Sequence, residues 1–558
     1  MLVSIRQELI VYRPIHLVEG GMIYRVQRER RTITLSGQTD EPTLGLMPRS
    51  VMLKSLAGIA VFTGAVLPAL LVDIPAMLDY PNYLARMYLR VSSGTPSENP
   101  FYQINWALYP NLAMDILVPP AARFEGVELT TKLLYIFSNL LLVTGSMAIE
   151  YRVKKKVIVS IFTSMMFLYC IPFTWGFLNF QFGLGLALWA IAAWLSFANG
   201  QWPFRALVHS IAVFALFLAH SLALGIYGAS IGLCELWRVF ATRSTLGETV
   251  ITFITMAAPV IILLCLIVAA GDPIPIGWTI TGWSWSGKLL EFWNLISGYS
   301  TALSSISIVV LLVFIIANRR HLSITGAGVL VLPGLAGLFL AMPSWLFDVP
   351  FVDVRVLAAS GFIAPAFISL TNQQAARRLA LVVAAIAFTN TAHVSHVWLS
   401  FRDSYRSMKS SFDLLKKRSL ILVGTSRDDF NLSEVPINHA PTLAVHYADA
   451  LVSSFFLFPG VNLRPEFRHL DGRQTIHRTP APAPIGVLEA IARNRLPNAP
   501  RYLRDWHLEF DYLYLVGPHI ANPMPELLEE IAVHERFTLY RVMHSAGSGP
   551  DTPNFLRN

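Results

Sequence analysis

The stretch VDIPAMLDYPNYLARMYLR, residues 72–90, follows directly on a long apolar run at residues 51–71. It carries two carboxylates, Asp73 and Asp79, and then two arginines, Arg86 and Arg90. After Asp79 the spacing suits a short amphipathic helix. Tyr83, Met87 and Arg90 fall near one stripe, with Leu84, Tyr88 and Val91 beside it. Acids and arginines placed just beyond a membrane-length apolar run can meet a phosphorylated substrate at the membrane surface. The alternative is a solvated first loop.

The rest of the chain supports the membrane setting. Of its 558 residues 54% are hydrophobic and only 14% charged, with a mean hydropathy of +0.52, whereas a soluble domain carries about 25% charged residues. The expectation is an all-α polytopic membrane protein with about 11 transmembrane helices. The spans are expected at residues 51–71, 129–149, 157–172, 182–198, 206–219, 221–237, 250–270, 303–317, 324–341, 354–370 and 379–398. The net charge of +8 is no nucleic-acid signal, because the basic residues cluster in short loops such as Arg152 with Lys154, Lys155 and Lys156. Such clusters mark the cytoplasmic side. They place the N-terminus in the cytoplasm and the long loops 72–128 and 271–300 outside. The second long loop holds Trp278, Trp283, Trp285 and Trp293, a composition suited to the membrane interface. Bacterial inner membrane is the expected location. Cys170, Cys234 and Cys265 all lie in apolar runs and are read as packing residues.

Residues 1–50 are polar and arginine-rich. They are read as a cytoplasmic tail without packed structure, or as an extension upstream of a start at Met47 or Met52. From about residue 400 the chain is no longer apolar throughout. SLILVGTS at 419–426, FDYLYLVG at 510–517 and FTLYRVM at 537–543 read as strands, and MPELLEEIAVHE at 524–535 as an amphipathic helix. Residues 400–545 are therefore expected to form a small C-terminal α/β domain outside the membrane, with a disordered tail at 546–558.

Three segments together resemble the GT-C glycosyltransferases, integral membrane enzymes that take a sugar from a polyprenyl-phosphate carrier. The protein O-mannosyltransferases and the lipid A aminoarabinose transferases are members. LDYPNYLAR at 78–86 resembles the family's first-loop motif, an acid followed by an aromatic-rich amphipathic helix. Here Asp79 is followed by Tyr80, where many members have two adjacent acids. YPNLAMDILVPP at 109–120 places Asp115 late in the same loop, near prolines. WGFLNFQFGLGLAL at 175–188 is similar to a turn in bacterial membrane proteins of this kind. The architectural resemblance spans residues 51–543.

The resemblance implies a lipid-linked sugar donor and a lipid or glycan acceptor, among membrane lipids and with no nucleic acid. Displacing a sugar from its phosphate needs a carboxylate to take the acceptor's proton and cations to hold the leaving phosphate. Asp79 is the expected base, with inversion at the anomeric carbon. Asp115 is read as an orienter of the acceptor or a metal ligand, or else as a loop residue. No cofactor is expected, and a divalent metal is left open. For the phosphate, Arg86 comes first and Arg355 next, since an arginine fork suits phosphate oxygens. Arg355 has an alternative role, pairing with Asp353 or Asp348. Lys288, Arg90 and His220 are further phosphate candidates, and Asp73 is a substrate-binding candidate or a plain interface acid. Asn179 and Gln181 read as helix caps. His439, His446, His469 and His477 lack metal-ligand spacing and read as surface or loop residues. Two other classes stay open, a lipid or glycan transporter and a non-catalytic scaffold. A transporter would show internal repeats and mid-membrane charge, neither of which is evident.

Overall fold

The computed structural model describes the backbone of residues 4–18, 21–34, 49–197, 202–242, 244–270, 280–346, 349–427, 432–457, 460–472 and 481–544. The chain divides into two compact units, residues 1–57 and 58–558. In the first, the segment expected as an unpacked tail forms an antiparallel hairpin of β1 (Ser4–Val18) and β2 (Gly21–Thr34).

The second unit begins within α1 (Arg49–Leu70). The first loop folds into α2 (Tyr80–Ser92), β3 (Tyr102–Ile104) and α3 (Ala113–Glu125). Then come α4 (Val127–Lys154), α5 (Ser160–Phe167), α6 (Ile171–Thr174), α7 (Leu178–Ser196), α8 (Trp202–Ala219), α9 (Ser221–Thr242) and α10 (Leu246–Ala270). After these lie α11 (Trp285–Trp293), α12 (Thr301–Ala317), α13 (Gly328–Ala341), α14 (Val352–Ile363) and α15 (Gln373–Ser411). Short strands link the loops between them: β4 (Ile280–Thr281), β6 (Trp345–Leu346) and β7 (Val349–Pro350) in one ladder, β5 (Leu322–Ile324) and β8 (Ile368–Leu370) in another.

Among the described residues six helices, α4, α7, α8, α9, α10 and α15, are long and apolar enough to cross a membrane. The chain is an integral membrane protein. Two expected spans are broken rather than continuous. At 157–172 the helix stops after eight residues and restarts at Ile171 with Pro172 in its first turn, because proline offers no N–H to continue the previous helix. At 354–370 helix α14 ends at Ile363 and the chain finishes as strand β8. The expected pair at 206–237 is two helices joined at His220.

The C-terminal segment builds a six-stranded mixed sheet from β9 (Leu420–Thr425), β10 (Leu451–Val452), β12 (Ala483–Pro484), β13 (Tyr512–Val516), β14 (Leu528–His534) and β15 (Phe537–Val542). The strands β9 and β13 run parallel at its centre and are buried along nearly their whole length, as befits strands covered on both faces. A further strand, β11 (Val461–Leu463), leaves this sheet and pairs antiparallel with β3 of the first loop. The expected helix at 524–535 is instead the edge strand β14, hairpinned to β15. Its register slips between Glu530 and Ala532, and just before this bulge Glu529 and Glu530 are both exposed. Two successive outward residues break the alternation that marks a strand and imitate a helical period.

Candidate active site

Asp79 sits at the N-terminus of α2, and its carboxylate makes no hydrogen bond to the helix's own first turn. The following Tyr-Pro pair starts the helix without needing that cap, since proline is pre-organised for a first turn. The carboxylate is therefore available elsewhere. It is 5% exposed and lies 3.1 Å from His439 Nδ1, 360 residues away in sequence. His439 is 7% exposed, on the turn that opens a short 3₁₀ helix at Ala440–Leu443. Its ring stands edge-on to Phe456 at 4.8 Å, and the Phe456 N–H donates to Asn82 Oδ1 on α2. The C-terminal segment thus closes directly over the first-loop helix.

Beneath Asp79 lies the turn that contains Trp175. The Asp79 N–H donates to Trp175 O at 2.9 Å. Gly176 has φ +87°, and a Cβ there would come within 3.0 Å of Tyr80 N and 3.3 Å of Asp79 N. Only glycine fits both the left-handed backbone and the close approach. Phe177, from the same turn, lies under the Arg355 guanidinium, 3.9 Å from ring centre to Cζ.

Arg355, on α14, is 4% exposed, and its charge acts on Asp79. Its Nε has no hydrogen-bond partner. Its Nη1 lies 3.4 Å from His220 Nε2, while His220 Nδ1 accepts from the Leu222 N–H at 3.1 Å. A ring whose Nδ1 accepts carries its proton on Nε2. Arg355 and His220 then face each other donor to donor, an arrangement completed by an anionic oxygen between them. Burial pushes the Asp79 carboxyl above its ordinary range; the His439 hydrogen bond and the His439 and Arg355 charges act in the opposite sense.

The remaining sequence candidates fall elsewhere. Asp115, in the first turn of α3, accepts from Arg86 Nε at 2.8 Å and from Arg90 Nε at 2.8 Å, with a second contact from Arg86 Nη2. All three are buried, so Arg86 and Arg90 are ion-paired and clamp α2 to α3. Lys288 is ion-paired with Asp353 and donates to Met342 O at 2.6 Å, and Ser344 Oγ donates to Asp353 at 3.0 Å. Asp353 is therefore Lys288's partner and leaves Arg355 to face Asp79; Asp348 lies outside the described residues. Burial, and then the nearby Asp353, raises the Glu291 carboxyl beside this pair. Asp73 is exposed and pairs with Arg406 at 3.3 Å. Asn179 and Gln181 do not cap: they lie inside α7, where Asn179 Nδ2 donates to Asn111 O at 2.9 Å and Gln181 to Asn139 Oδ1.

Of the histidines expected at the surface, His439 is the exception just described. His446 stands 3.7 Å from Glu128, His469 pairs with Glu509 at 3.2 Å, and His477 lies outside the described residues. No local signal marks His439, because what places it is tertiary pairing. A resident divalent metal finds a poor donor set here: Asp79 is accompanied by a histidine and an arginine, Asp115 is occupied by two arginines, and among the described residues no three His, Cys, Asp or Glu side chains converge.

No family model and no curated protein matches the sequence. Among solved structures, the fold is similar to that of ArnT from Cupriavidus metallidurans in the apo state, with a TM-score of 0.50 and 12% identity over 88% of this chain and 98% of that one. The same protein bound to undecaprenyl phosphate gives a TM-score of 0.47 and 11% identity over 90% and 99%. The likeness is one of fold, and the fold it points to is that of ArnT.

Proposed function

We propose that the chain is a membrane glycosyltransferase that moves a sugar from a polyprenyl-phosphate carrier to an acceptor on the outer face of the inner membrane. One observation carries the reading: a buried carboxylate, Asp79, held by His439 and facing a buried arginine, Arg355, whose Nε has no partner and whose Nη1 meets the donor side of His220. Asp79 takes the proton as the acceptor's O–H or N–H bond breaks. The acceptor atom bonds to the anomeric carbon. The carbon–oxygen bond to the carrier phosphate breaks, and its electron pair leaves on the phosphate, between Arg355 and His220. His439 fixes the rotamer of Asp79 and favours its ionised form against the effect of burial. Inversion follows from a single displacement. The raised affinity of Asp79 for a proton brings it closer to the working pH, where a general base is most effective.

The test is Asp79→Asn in the purified protein, assayed with synthetic polyprenyl-phosphate sugars for both transfer and donor hydrolysis. The expected result is a fall of roughly 10²–10⁴-fold in transfer by a folded variant. Undiminished turnover would remove Asp79 as the base. Failure of the wild type with every donor tried would sink the enzyme reading and leave transport or scaffolding.

A further inference from the structure

A second site lies where α1 ends, α4 begins and the apolar part of α15 gives way to polar sequence. There a groove of about 250 Å³ opens between the three helices. Its walls carry four cations, Lys132, Arg402, Arg406 and Lys409, against two carboxylates, Asp73 and Glu128. Arg402, Arg406 and Lys409 are spaced four and three residues apart, so they form one stripe on α15. The first turn of α4 contributes Glu128 and Leu129, and the positive end of that 28-residue helix dipole faces the same space.

The pairings on α15 are partly exposed. Arg406 meets Asp73 at 3.3 Å with both side chains more than half exposed, and Lys409 meets Glu128 at 3.3 Å with the two side chains 48% and 38% exposed. Glu128 is also held by the Tyr447 hydroxyl at 2.6 Å, and Lys132 donates to Val72 O at 3.1 Å. Such exposed pairs are weak and readily exchanged. Among the described residues Arg402 pairs with no carboxylate. The neighbouring surface is apolar and uncovered: Leu71, Leu129 and Leu399 are 38%, 40% and 39% exposed. Charge at one end and exposed aliphatic side chains at the other match an amphiphile better than a small anion.

We infer that this groove binds the phosphate of an anionic phospholipid headgroup, held by Arg402, Arg406, Lys409 and Lys132, with the acyl chains against Leu71, Leu129 and Leu399. Arg406 and Lys409 exchange their carboxylates for phosphate oxygens on binding. The site is separate from Asp79 and Arg355, and the inference goes beyond the proposed transfer reaction without depending on it.

The experiment uses the purified full chain in neutral detergent, titrated with dioctanoyl phosphatidylglycerol, dioctanoyl phosphatidylcholine and inorganic phosphate. Thermal stability and retained lipid by native mass spectrometry are read together. Phosphatidylglycerol is expected to raise the Tm in a saturable, salt-sensitive way, and phosphatidylcholine is not. Arg402→Gln, which breaks no ion pair, is expected to weaken the phosphatidylglycerol effect about fivefold. Arg406→Gln provides a second variant, and Arg541→Gln, on β15 and not among the groove's lining residues, a control expected to leave it unchanged. Equal binding of the two lipids, or undiminished phosphatidylglycerol binding in both groove variants, would overturn the inference. An equal effect of inorganic phosphate would overturn the lipid as its source.

Discussion

At the scale of single residues, Asp79 and Asp115 show how environment separates two loop carboxylates. Asp115 lies between two buried arginines and is fully engaged. Removing one partner of a buried pair leaves uncompensated charge, which costs about 3–5 kcal/mol. Asp115→Asn should therefore destabilise the fold by that order, read as a fall in Tm or in folded yield. Asp79 behaves oppositely. Its carboxyl is raised by burial, so its ionised form is the strained one, and the stability it contributes is lost as pH rises through its folded value. Asp79→Asn should raise the Tm at pH 8, and the gain should shrink as the pH is lowered. In the proposed reaction the base is the ionised form, so the acid limb of kcat/KM should lie above the ordinary carboxylate range. Replacing His439 with Ala removes a hydrogen bond that lowers this value, and the limb should move to still higher pH. A limb that moves down, or not at all, would separate His439 from the base.

At the scale of elements, the turn under Asp79 and the first turn of α14 set the site's geometry. Gly176→Ala must accommodate a positive φ and a Cβ 3.0 Å from Tyr80 N. It should cost more than about 1 kcal/mol in stability and reduce kcat by displacing Asp79. Lys288→Met frees Asp353, two residues before Arg355, to compete for its guanidinium. The expected result is a KM for the donor raised on the order of tenfold with a smaller change in kcat, since a charged hydrogen bond is worth about 1.5–3 kcal/mol. Much of this level was legible in the sequence. The apolar runs gave α1, α8, α9 and the central strands β9 and β13, because continuous hydrophobicity needs no partner to be recognised. What escaped depended on partners. The bulge in β14 hid its alternation, Pro172 cut a span whose composition is mostly apolar, and Asn179 and Gln181 bond across to other elements rather than along their own helix.

At the scale of the whole second unit, the site joins segments far apart in the chain. The first loop supplies Asp79, the 175–177 turn its floor, α14 its arginine and the C-terminal segment His439. The sequence pointed to Asp79, Arg355 and His220 separately, yet gave no sign that His439 joins them or that Arg86 is held by Asp115. Pairings at separations of 360 and 29 residues leave no local trace. The strand pair β3–β11 and the Phe456–Asn82 bond make the first loop and the C-terminal segment one packed body. A chain ended after α15 should consequently lose protection of α2 from hydrogen exchange as well as all transfer activity. Retained protection there would mean that α2 is held by the helices alone.

The Asp79–His439 contact also has a timetable. Ribosomes add about 5–20 residues per second. The 360 residues that separate the two partners therefore take roughly 20–70 s to emerge. During that interval α1 and the first loop have left the ribosome while the histidine is still unmade. The acid spends its early life without the partner that later favours its charged form, and the Asp79–His439 pair forms only once the C-terminal segment has been made.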